Sequence, residues 1–82
     1  MPGLVWSLEA VTILATLPPP VRDEILARAA LLADFAEMYP IRRRGRFRGQ
    51  RFFASFDWIV YYVVRRSGPA ITTIGHGRRK RA

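Results

Sequence analysis

Cysteine is absent from this 82-residue chain, which excludes disulfides, thiol catalysis and cysteine-held zinc or iron–sulfur centres. Histidine occurs once, as His76, so a single chain cannot assemble a multi-histidine metal site. No metal and no cofactor is expected. No uncharged run approaches the roughly eighteen apolar residues of a membrane span, and Met1-Pro2-Gly3 lacks the basic opening of a signal peptide. These absences predict a cytoplasmic protein with no membrane partner. Acidic residues are few: six Asp+Glu stand against fourteen Lys+Arg, a net charge of +8. An acidic partner is the first expectation, and nucleic acid is the commonest one.

What is present is unevenly placed. Residues 1–40 hold Arg22 and Arg28 against Glu9, Asp23, Glu24, Asp34 and Glu37, a net of −3. Residues 41–82 hold twelve basic residues against Asp57 alone, a net of +11. Half of the chain is hydrophobic, enough for one core, and the length fits one domain spanning 1–82. Its halves read as a strand plus helical hairpin (1–40) and a basic three-strand meander with a tail (41–82).

The first half carries helical spacing. Leu4-Val5-Trp6 reads as an edge strand, and Ser7 as the N-cap of a helix with Glu9 in its first turn, where the helix dipole favours a carboxylate. Leu8, Val11, Leu14 or Ala15, and Leu17 give its apolar stripe. Pro18-Pro19-Pro20 ends that helix and can open the next. From Val21 to Tyr39 a stripe of Val21, Ile25, Ala29, Leu32, Ala36 and Tyr39, widened by Leu31 and Phe35, predicts a second helix stopped by Pro40. The short proline turn predicts an antiparallel helix pair.

The second half is strand-like. Arg46 to Ser55 mixes basic and aromatic residues at roughly alternating positions. Phe56 to Val64, rich in aromatic and β-branched residues, predicts a central strand. Ser67-Gly68-Pro69 signals a turn, Ala70 to Ile74 a last strand, and Gly75-His76-Gly77 its break before the tail Arg78-Arg79-Lys80-Arg81. The fold class is therefore α+β: a two-helix antiparallel hairpin on one face of a small, mainly antiparallel sheet in the order β-α-α-β-β-β, the other face partly open.

Three constellations could carry chemistry. Arg42, Arg43, Arg44, Arg46, Arg48 and Arg51 surround Phe47, Phe52 and Phe53. Guanidinium groups match phosphate and aromatic faces can stack unpaired bases, while the plainer alternative is a solvated charge run beside core phenylalanines. Core packing is the favoured role of the phenylalanines. Gly75-His76-Gly77-Arg78-Arg79 joins a flexible backbone to a histidine able to move protons near neutral pH and to arginines able to stabilise a phosphoryl group; a structural histidine is the alternative. Asp57 suits an ion pair in the turn before Trp58 better than acid catalysis. In a strand Tyr61 and Tyr62 face opposite sides, one filling the core, and Trp58 shares the face of Tyr62. An exposed face carrying Trp58 or Tyr62 would require a cover.

Val5-Trp6-Ser7-Leu8-Glu9-Ala10, Gly49-Gln50-Arg51-Phe52-Phe53, Trp58 to Val64 and Ala70 to Arg79 together resemble, in order and spacing, toxins of the RelE/ParE superfamily. The resemblance covers almost the whole chain and implies the toxin of a type II toxin–antitoxin (plasmid stabilization) system. RelE-like members are ribosome-dependent mRNA endonucleases, or mRNA interferases, that inhibit translation; ParE-like members inhibit DNA gyrase without nuclease activity. For cleavage the resemblance matches Arg51 and Arg78 or Arg79 to phosphate-binding basic positions of the RelE-like branch; with His76 as proton shuttle, Arg51, His76, Arg78 and Arg79 are the expected catalytic residues, and the basic residues Arg43, Arg44, Arg46, Arg48, Arg65, Lys80 and Arg81 are expected to bind the nucleic acid. It also implies a cognate antitoxin, partly helical and acidic, and the ribosome and mRNA, or gyrase, as targets. A non-toxic basic nucleic-acid-binding module is the remaining alternative.

Overall fold

The computed structural model describes residues 3–77. Its order is β1 (Val5–Trp6), α1 (Leu8–Leu14), α2 (Pro19–Leu31), β2 (Arg51–Ser55), β3 (Trp58–Arg65) and β4 (Gly68–His76). The four strands form one mixed sheet in the order β1-β4-β3-β2. β2, β3 and β4 make an antiparallel meander, and β1 adds to β4 in parallel. The fold is α+β with the predicted element order. Among the described residues no helix is long and apolar enough to cross a membrane.

Both helices feed one core beneath one face of the sheet. α1 packs on β4 and α2 on β2, and between them Phe53, Val60, Tyr62, Ile71 and Ile74 meet Ala10, Leu14, Leu17, Val21, Ile25, Ala29 and Leu32. Ser7 caps α1 as its residue type predicts: its Oγ accepts from the Ala10 amide at 3.0 Å and donates to the Thr72 carbonyl at 2.7 Å. The cap thus also ties the helix start to β4. The stripe expected on α1 holds at Leu14 and Leu17, which are buried, and is corrected in its first turn: Leu8 is 82% and Val11 46% exposed, while Ala10 turns inward. The cap fixes the helix's rotation, so size alone does not decide which apolar side chains of that turn face the core.

α2 buries Val21, Ile25 and Ala29 as expected, with Leu32 just past its end, but it stops at Leu31 rather than Tyr39. A straight helix would carry Tyr39 about 16 Å along its axis from Arg28. Instead the chain turns back, so the Arg28 Nε donates to the Tyr39 hydroxyl at 3.1 Å and the Tyr39 ring lies 4.8 Å from that of Phe53. Tyr62 fixes the same turn by donating to the Ala36 carbonyl at 2.8 Å. Leu31 and Phe35, expected to widen the buried stripe, are exposed. Arg28 also donates to the Ala54 carbonyl and lies over the Phe53 ring, while Glu24 pairs with Arg28 and accepts from Ser55 at 2.7 Å. This cluster clamps α2 onto β2.

The strand expected from Arg46 begins only at Arg51. Residues 42–50 form a loop pinned at its neck, where the Arg42 amide donates to the Gln50 carbonyl at 2.7 Å and the Gly49 amide to the Arg42 carbonyl at 2.9 Å. Gly45 and Gly49 take positive φ angles of 83° and 92°, which end strand geometry at both places. The outer edge of β2 is covered by residues 40 and 41, through Phe52 N–H to the Pro40 carbonyl and an Ile41–Arg51 bridge. At the other end β4 runs on through Gly75 and His76, paired with Ile59 and Trp58, and the break expected there does not occur. β3 starts at Trp58 because Phe56 and Asp57 form the hairpin turn.

Candidate nucleic-acid interface

The sheet face away from the helices carries Phe52, Tyr61 and Thr73, held side by side by the pairs Phe52↔Tyr61 and Tyr61↔Thr73. The basic loop folds onto this face. Phe47 lies flat on Tyr61, ring centroids 4.0 Å apart and 18° from parallel, and Thr72 donates to the Gln50 side chain. Tyr61 is consequently buried, although it points away from the core. Of the two tyrosines it is Tyr62 that fills the core, fully buried, and Trp58 shares its face and packs against the core cluster, so the exposed face that would have needed a cover does not carry them. Of the phenylalanines only Phe53 is a core residue; Phe47 and Phe52 belong to the loop-covered face.

Beside this aromatic set, at the end of β4, is a hollow of about 460 Å³. Arg42, Arg46 and Phe47 line it from the loop, Ile59, Tyr61 and Thr73 from the sheet, Gly75, His76 and Gly77 from the strand end, and Glu9 from α1. The two guanidinium groups are seated by cation–π contacts, Arg42 at 5.5 Å from the Phe52 centroid and Arg46 at 5.6 Å from that of Phe47. Neither has a carboxylate partner among the described residues, which leaves both charges available to an anion. The His76 ring meets Trp58 edge-on at 4.8 Å. The Gly77 amide donates to the Asp57 carbonyl at 2.6 Å; a Cβ there would stand 3.2 Å from that oxygen and from Ile59, so glycine lets the strand end close on the turn.

The expected site residues divide. Arg46 and His76 share the hollow, with Arg42. Arg43 and Arg48 line another depression on the loop with Ile41, Arg42 and Gly49, and Arg44 is exposed. Arg65 sits at the far end of the β3–β4 hairpin, paired with Gly68. Arg51 is engaged by the fold: its Nη1 donates to the Tyr39 carbonyl at 2.7 Å and to the Glu37 carbonyl at 3.4 Å. It stands about 13 Å along the strands and two strands across from His76, so these two do not act on one atom. Arg78, Arg79, Lys80 and Arg81 lie outside the described residues. Glu9, Thr73 and the Phe47–Tyr61 stack were not foreseen as site elements. Their only sequence signal was the placing of Tyr61 opposite Tyr62.

No protein-family model and no curated protein matches this chain.

Proposed function

We propose that the chain is the toxin of a type II toxin–antitoxin module, similar to the RelE/ParE superfamily, and that it inhibits translation by engaging RNA at the arginine-rimmed hollow. The hollow carries the reading: unpaired guanidinium groups, an aromatic wall and the molecule's single histidine meet at the end of the last strand. The β-α-α-β-β-β order and the sequence motifs support the superfamily assignment.

In this reading Arg42 and Arg46 bind the strand's phosphates. In cleavage, the 2′-oxygen attacks the adjacent phosphorus, the bond from phosphorus to the 5′-oxygen breaks, and a cyclic phosphate and a 5′-hydroxyl result. His76 serves one of the two proton transfers, and Arg42 and Arg46 offset charge that builds on the phosphate oxygens. An acidic antitoxin segment silences the toxin by occupying the same arginines. Purified protein added to translating ribosomes tests this: new mRNA ends that His76→Ala abolishes are expected, and intact mRNA at toxin excess overturns it.

The second reading, a gyrase inhibitor without nuclease chemistry, is favoured by one observation. Arg51 is spent on the Glu37 and Tyr39 carbonyls and is missing from the proposed cleavage set. That reading predicts loss of gyrase supercoiling with bulk mRNA intact.

A further inference from the structure

The hollow contains one group of the wrong sign for phosphate. Glu9, on α1, lines it together with Arg42 and Arg46. Had the hollow served only as a polyphosphate cradle, a carboxylate there would repel the ligand. Nor is Glu9 neutralised by its neighbours: among the described residues its one side-chain partner is Thr73, whose hydroxyl donates to Oε2 at 2.6 Å. Thr73 is itself buried and fixed in register opposite Tyr61. The Thr73 hydroxyl thus orients the carboxylate by one lone pair of Oε2, and Oε1 and the second lone pair of Oε2 are left to a ligand.

An ionised carboxylate only accepts hydrogen bonds. The nucleobases differ in what they offer it. Guanine presents two adjacent donors, N1–H and N2–H, on its Watson–Crick edge. Adenine and cytosine pair their amino donor with an acceptor nitrogen that repels a second carboxylate oxygen, and uracil's single N–H is flanked by two carbonyls. The Phe47–Tyr61 wall supplies apolar contact for a base. Arg42 and Arg46 serve its phosphates, and about 460 Å³ is room for one nucleotide. The Watson–Crick edge is open only in an unpaired strand.

We propose that Glu9, held by Thr73, makes the hollow selective for an unpaired guanine within a nucleic-acid strand. This rests on the nucleic-acid reading above and adds the base that is read and the residue that reads it.

The test is equilibrium binding of the full chain to labelled pentanucleotides, UUGUU, UUAUU, UUCUU and UUUUU, at one fixed salt concentration. The guanine pentamer is expected to bind about tenfold more tightly than the other three, the scale of one good bidentate base contact. Glu9→Gln keeps an acceptor for Thr73 and replaces the second oxygen with a donor. It is expected to erase the guanine preference while binding UUUUU at least as well as the parent, and Glu9→Ala is expected to erase it too. Equal binding of all four pentamers by the parent overturns the guanine assignment and leaves the nucleic-acid reading standing, as does a preference that survives in both variants. Absence of binding to any pentamer overturns both. Free guanosine monophosphate competing as well as the guanine pentamer overturns the strand assignment.

Discussion

Phe47 and Tyr61 stack at a centroid distance of 4.0 Å, and this contact, with the hydrogen bond from Thr72 to the Gln50 side chain, holds the arginine loop against the sheet. Tyr61 is fixed in the centre of the sheet by its pairing with Phe52 and Thr73. Phe47 comes from a loop whose neck is closed by backbone hydrogen bonds of Arg42, Gly49 and Gln50. The stack makes the basic loop one wall of a hollow, with Arg46 seated over the same Phe47 ring.

Removing the stack is expected to separate binding from folding. An aromatic pair contributes about 1 kcal/mol beyond the area it buries, so Phe47→Ala should lower global stability modestly. RNA affinity should fall further, because Arg42 and Arg46 lose their fixed positions. Denaturant unfolding beside RNA titration checks this; unchanged affinity in a folded Phe47→Ala protein contradicts it.

Tyr62 makes stability fall in alkali. Burial pushes its phenol above its ordinary value near 10, and its hydroxyl donates to the Ala36 carbonyl. The folded state therefore holds the proton where the unfolded chain releases it. By linkage this contribution is complete below pH 10 and is lost as pH rises through the folded-state value. Tyr62→Phe should cost about 1 kcal/mol at neutral pH through the orphaned carbonyl and should flatten the decline above pH 10. Urea unfolding of both proteins between pH 8 and 11 reads the difference.

Phe56 occupies the first position of the two-residue β2–β3 turn with φ 56°, where glycine is usual, and is 67% exposed. Left-handed backbone costs a non-glycine residue about 1–2 kcal/mol. Phe56→Gly offsets part of that with the extra freedom it gives the unfolded chain, and should still stabilise the protein by about 1 kcal/mol. A melting temperature raised by several degrees is the expected reading.

Much of the fold was legible because local signals and tertiary demands agreed. Ser7 caps a helix at the residue expected, and Val21, Ile25, Ala29 and Leu32 face the core as their spacing predicts. Legibility failed where distant partners decide. Residues 33–39 have helix-compatible side chains, but Arg28, Tyr62 and Arg51 take the hydroxyl of Tyr39 and the carbonyls of Ala36 and Tyr39 and bend the chain away. Arg51 is indistinguishable in sequence from the arginines before it, yet it alone of that run bonds to the turn after α2. Glu9 read as a helix-dipole residue; its place in the hollow depends on Thr73, 64 positions away, a relation no local pattern carries.

The central claim is that the guanidinium pair at the end of β4, rather than positive charge in general, binds RNA. Salt-dependent binding of an unstructured RNA tests it by removing equal charge at two ends of the sheet. Arg42→Ala with Arg46→Ala empties the hollow, whereas Arg65→Ala with Arg66→Ala strips the opposite hairpin, about 23 Å along β3 from Trp58. The first pair should weaken binding and lower the slope of log affinity against log salt by about 1.4, two single-strand phosphate contacts, and the second should leave the slope unchanged. Equal losses from both pairs would contradict the account.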